Sequence, residues 1–298
     1  MKPINDPLIS RSNADRLHYS IGELLGADDF RDEQTYHRRQ LARALLYLHG
    51  SGTIAGLRVT HKHQPKKKDE QEEVELEVRP GLALDHAGRL IEVPEKACLR
   101  LRRWYEFIAA SPAVTNELDA EDLRNAWRPN DSDNPGGPGV VVADVVLSFY
   151  PCDRGYTPAF ASGPFDALDA SQPSRIRDGY ELSLIPRSER DDKLPAAGDP
   201  WAALAALPPD KRLAAALDIS LDLWRDRAKE AKENPDGVDS TAVLLARLRL
   251  PTQKQGIAPE APLPDWKAGA WATDGANLNN NVRRVLLPPQ AVFNIIAL

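Results

Sequence analysis

The feature that most constrains the fold is an abrupt change of hydrophobic period at Gly50. From Phe30 to Leu48 the chain has neither proline nor glycine, and Phe30, His37, Leu41, Leu45 and Leu48 recur on one helical stripe with Ala44 beside it. Arg31, Arg38, Arg39 and Arg43 fall mostly on other faces. Asp28 or Asp29 is placed to cap the first amides with Leu25 as a staple, and Gly50 suits the left-handed residue that closes a helix. Beyond it the period is two. Ile54 to Val59 reads as a strand, and Val74, Leu76 and Val78 alternate with Glu75, Glu77 and Arg79. Pro80-Gly81 and Asp85-His86-Ala87-Gly88 turn the chain, so residues 54–101 are expected to form a small antiparallel meander with the polar stretch His61–Glu73 as a solvated tip.

Downstream, short helices are expected at Arg102–Ala109 and Ala120–Trp127, the second capped by Asp119. Gly139–Tyr150 is β-branched and reads as a strand buried on both faces for part of its length, Pro151–Pro173 as irregular chain, and Arg177–Pro186 as a strand. Arg187–Ser240 changes character: a charged, proline-bearing stretch leads to a helix whose stripe is Leu213, Leu217, Leu221, Trp224 and Ala228. Strand pattern returns at Ala242–Leu250. The expected organisation is a helical segment (1–53), an antiparallel β-rich domain with short helices (54–186), a helical insertion (187–240), and C-terminal strands that complete the β-rich domain (241–298). This is an α+β chain: an N-terminal helix leading into an antiparallel β meander or sandwich, with an inserted helical lobe.

Composition narrows the chemistry. With 38 Lys+Arg against 44 Asp+Glu, a net charge of −6 supplies no global basic field, so nucleic acid is not an expected partner. Two cysteines, Cys98 and Cys152, support neither a disulfide scaffold nor a four-thiolate zinc site. The start MKPINDPLIS lacks a secretory pattern and no apolar run is long enough to span a bilayer, so cytosolic synthesis without an integral membrane segment is expected. Gly50-Ser51-Gly52 and Gly56 follow a helix and precede a strand, the reverse of a phosphate-binding loop. His37 reads as a packed core histidine. His61 and His63 share a strand face, but Lys66-Lys67-Lys68 beside them repels a cation and no third ligand is evident. Adjacent carboxylates such as Asp28-Asp29 and Asp191-Asp192 point apart, and Trp104, Tyr105 and Phe107 read as the core face of a helix before a sugar platform. No catalytic residue, cofactor or metal is expected.

Several stretches together resemble structural proteins encoded with phage-tail-like contractile injection systems. The opening is similar at Leu25, Asp29-Phe30, Glu33-Gln34, Tyr36-His37, Arg39, Leu48-His49-Gly50, Gly52 and Gly56-Leu57. Val78–Pro94 resembles a turn-strand-turn element of that group and of phage tail and fibre proteins, and Ser174–Pro186, Val243–Leu250 and Asn279–Pro288 resemble its closing strands; Arg187–Ser240 has no counterpart. The resemblance implies a particle component at the baseplate or peripheral fibres, whose partners are other tail subunits or further copies of itself, and no activity. Candidate assembly contacts are Tyr36, Arg38 and Arg39 on the helix and Val292, Phe293, Ile295, Ile296 and Leu298 at the C-terminus, where packing on the chain's own sheet is the competing reading. The alternatives are a module that reads a cell-surface glycan through the loops Asn130–Gly139 and Pro151–Pro173 and, behind it, a cell-wall hydrolase whose carboxylates converge only on folding.

Overall fold

The computed structural model describes residues 15–64, 72–111, 118–130, 137–158, 171–188, 206–222, 241–271 and 277–288, with Leu8 and Leu204. The architecture is α+β, and an N-terminal helix leads into antiparallel strands.

Helix α1 spans Ala27–His49. Its entry is closed from Gly26, whose N–H donates to the Asp29 carboxylate at 2.7 Å. Its exit is Gly50, at φ +75°, whose N–H reaches Leu46 O at 2.8 Å. Its buried positions are Thr35 and Ala42. At Ala42 the 85–89 turn presses directly on the helix: a Cβ at Gly88 would lie 2.2 Å from the Ala42 carbonyl oxygen. This corrects the expectation for the apolar stripe. Phe30, His37, Leu41 and Leu48 face outward, and only Leu45 is half-buried, so His37 is not a core histidine.

Residues 52–100 fold into two sheets instead of one meander. Strands β1 (Gly52–Gly56), β4 (Gly81–Leu84) and β5 (Leu90–Val93) form one, while β2 (Val59–Gln64), β3 (Glu73–Val78) and β6 (Ala97–Arg100) form the other. The expected strand 54–59 is broken by Gly56 and Leu57 at φ +66° and +55°, which swing the chain from the first sheet to the second. At that crossing the backbones nearly touch, since a Cβ at Gly56 would lie 2.1 Å from Pro80 O.

Helices α2 (Leu101–Ala110) and α3 (Ala120–Asn125) follow, and the Asp119 carboxylate caps α3 by accepting from Glu121 N at 2.7 Å and Asp122 N at 3.3 Å. The largest sheet has β8 (Gly139–Pro158) at its centre. One edge of β8 pairs with β10 (Val243–Lys254); the other pairs with β7 (Trp127–Pro129) and then β9 (Ser171–Pro186). Strands β11 (Leu263–Pro264) and β12 (Leu278–Asn279) flank β10. A contiguous core joins Val74, Leu76 and Val78 of β3, Val141, Val145 and Leu147 of β8, Leu245 and Leu248 of β10, and Leu101, Tyr105 and Ile108 of α2. Each fully buried aliphatic side chain there contributes about 1.5–3 kcal/mol. Helix α4 (Pro209–Asp222) exposes Leu213, Leu217 and Leu221 to solvent, again against expectation; Trp224 and Ala228 lie outside the described residues.

The chain's late segment clasps its early one. Thr53 N donates to Arg284 O and Leu286 N to Thr53 O, both at 2.8 Å, while the Asn280 amide brackets Val59 N and O at 2.9 Å each.

Candidate functional site

The inner half of β8, residues 139–149, is buried throughout. From Tyr150 outward the strand leaves the core without ending. Residues 150–158 keep one register with β9, Tyr150 opposite Gly179 and Pro158 opposite Ser171, with the ladder skipped only at Gly155, which sits at φ +63°. At about 3.3 Å per residue this is a two-stranded ribbon roughly 30 Å long. Residues 153–158 and 173–178 are exposed on both faces. The irregular chain expected at Pro151–Pro173 is therefore strand at both ends, and 159–170 lies outside the described residues.

Strand alternation sorts the ribbon's side chains. Tyr150, Cys152, Arg154 and Tyr156 share one face with Arg175 and Arg177; Asp153, Ile176 and Asp178 share the other. Tyr156 is 67% exposed and Ile176 69%. Tyrosine and arginine dominate protein interfaces, because each offers a wide apolar contact together with directional hydrogen bonds.

A second outward surface is the α1 stripe described above. The sequence candidates on this helix, Tyr36, Arg38 and Arg39, are half-buried on its flanks, so the structure does not bring them onto that exposed stripe. The other candidates, Val292, Phe293, Ile295, Ile296 and Leu298, lie outside the described residues. Of the loops considered for glycan reading, 131–136 is also outside them.

Sequence reasoning missed the interior charges. Asp144, 1% exposed, receives two bonds from Arg247, Nε at 2.8 Å and Nη2 at 3.2 Å, and lies 3.3 Å from Arg187 Nη1. A second buried pair joins Arg89 Nε to Asp85 at 2.6 Å, with Arg89 Nη2 on Thr241 Oγ1 at 2.8 Å and the guanidinium 4.6 Å above the Phe149 ring. Both networks tie strands or turns together from inside the fold.

Other polar groups are modest. Ser51 Oγ and His86 Nδ1 lie 2.9 Å apart beside a cavity of about 30 Å³, room for water and not for an organic substrate. A wider open groove of about 480 Å³ runs between α2, α3 and Pro259-Glu260, but Asp119 is spent on its cap and Arg124 Nη1 on Pro259 O at 2.8 Å. His61 and His63 do share a face, both rings within 6 Å of the Trp271 ring, and burial followed by the neighbouring His63 holds His61 below the ordinary histidine range. Glu75, Glu77 and Cys98 cluster on the opposite face of β3 and β6, where Lys96 holds Glu77 at 2.9 Å and Arg100 approaches Glu75 at 3.5 Å. Trp104 and Tyr105 do pack inward, with Trp104 Nε1 donating to Leu184 O at 3.1 Å, whereas Phe107 is exposed. Among the described residues no helix is long and apolar enough to cross a membrane.

No protein-family model matches the chain, and no curated protein resembles it significantly.

Proposed function

We propose that the chain is a structural subunit of a contractile, phage-tail-like injection particle, made in the cytosol and built into the baseplate or peripheral fibres, and that it acts through protein contacts instead of catalysis. The observation that carries this reading is the β8–β9 ribbon. A two-stranded sheet with no core of its own is at best marginal in water, and edges that pair with nothing further among the described residues invite another chain. A ribbon that also presents two tyrosines and three arginines on one face, Tyr150, Tyr156, Arg154, Arg175 and Arg177, is an arm that completes itself on a partner. The segmental resemblance to tail-associated proteins supplies the class of partner. Tyr150 and Tyr156 are also the side chains on which a sugar ring would stack, which keeps a glycan-reading module as the alternative.

The test is to band contractile particles from cells carrying the gene on a density gradient and probe each fraction for this chain. Co-migration with sheath and tube after a salt wash is the expected result. A chain that stays at the top of the gradient overturns the reading, and if it then gives a glycan-array hit the alternative takes its place.

A further inference from the structure

We propose that the segment seated on the ribbon is an acidic β-strand of another tail subunit, added along the β9 edge with carboxylates at alternate positions beside Arg175 and Arg177. This rests on the assembly reading above and gives its partner a defined chemistry. The ribbon's charge is sorted by face. Arg154, Arg175 and Arg177 lie on one side, whereas the acids of the same stretch, Asp153 and Asp178, lie on the other. Arg154 stands directly opposite Arg175 in the ladder, and like charges so opposed destabilise a strand pair. All three arginines are exposed, and among the described residues none of their side chains has an ion pair or hydrogen bond. The next acid on their face, Glu181, is four residues inward from Arg177, about 13 Å along the strand. A chain whose net charge is −6 thus holds an unneutralised positive cluster on a ribbon exposed on both faces.

The open edge decides the kind of anion. From Ser174 to Gly179 β9 has no proline, and among the described residues nothing pairs with its outer side. A phosphate or sulfated sugar polymer neutralises arginines but leaves the N–H and C=O groups of that edge unpaired; an added strand satisfies both. Such a strand lies about 4.8 Å from β9, and its same-face residues stand beside Arg175 and Arg177, which are about 7 Å apart. A carboxylate at each of those two positions meets a guanidinium fork, with Arg154 across the ladder as a third positive group. Ile176, 69% exposed, points to the opposite face between them, so the residue between the two acids is expected to be apolar. The recognised pattern is acid, apolar, acid.

Carbodiimide cross-linking of assembled particles tests it, because that reagent joins an amine only to a carboxylate in contact with it. Arg175→Lys with Arg177→Lys keeps both charges and supplies the amines, and its incorporation should match wild type. Peptide mapping should find an amide from position 175 or 177 to an Asp or Glu of another tail subunit, within an extended segment of the acid, apolar, acid pattern. Arg175→Glu with Arg177→Glu should lower incorporation about 10-fold, with the circular dichroism spectra of both variants unchanged. Wild-type incorporation of the glutamate pair overturns the proposal. So does a lysine pair that drops out of particles as the glutamate pair does, since positive charge is then not what the partner reads. Particles that hold the lysine pair but give no such amide overturn it and spare the assembly reading; binding of that variant to heparin would then name a polymeric anion as the occupant. An amide to a carboxylate of this chain itself, Asp166 and Asp169 included, overturns it as well. A wild-type chain absent from every particle fraction removes the assembly reading, and this inference with it.

Discussion

Asp144→Ala is expected to lower the stability of the fold by about 3–5 kcal/mol, the largest effect of any single substitution considered for this chain. The carboxylate sits on the central strand at 1% exposure, directly across from Arg247 on β10, and Arg187 at the end of β9 closes on it from the other side. Removing it leaves the buried guanidinium groups of Arg247 and Arg187 without their carboxylate counter-charge. Typical domains hold 5–15 kcal/mol in all, so the variant should melt on the order of 10 °C lower and expose the β8–β10 seam first. Replacing Asp144, Arg247 and Arg187 together by Leu, Met and Leu should recover most of the loss, because the pair's desolvation cost leaves with it. Thermal unfolding followed by circular dichroism decides this. A single variant within 1 kcal/mol of wild type, roughly what a surface change costs, would mean the network is not holding the sheet.

The second large effect falls on assembly. Joining Tyr150 to Gly179 through Asn-Gly removes residues 151–178 at a point where the two strands are already opposed. The buried inner parts of both strands are untouched, so melting should shift little. Incorporation into particles should nevertheless be abolished, read by the same gradient fractions. Loss of incorporation together with loss of folding would say nothing about contacts, which is why the melt is measured on the same preparation. Normal incorporation of a stable shortened chain would show the ribbon to be dispensable.

Local signals in the sequence were good guides where the physics is local. Gly50 closing α1, the Asp119 cap and the buried run of β8 each depend on residues within one or two turns of themselves. The failures share a cause. Periodicity says that Phe30, His37, Leu41 and Leu48 form a stripe, not what covers it, and here the chain's own body takes the Thr35 and Ala42 side. The stretch Pro151–Pro173 reads as irregular chain, yet proline is tolerated in a ribbon whose outer edges, among the described residues, pair with nothing further. Nothing in the apolar strand around Asp144 points to its partner Arg247, which lies 103 residues away. Likewise, nothing near Val59 announces that Asn280 will grip its backbone.

The most direct test of the central claim, that the ribbon is seated on another protein, is photo-cross-linking inside the assembled particle. A benzophenone side chain at position 156 replaces a tyrosine that is 67% exposed and disturbs no core. Irradiated particles should yield one dominant adduct between this chain and a different tail subunit. Particles that contain the chain but give no adduct from position 156 would contradict the account.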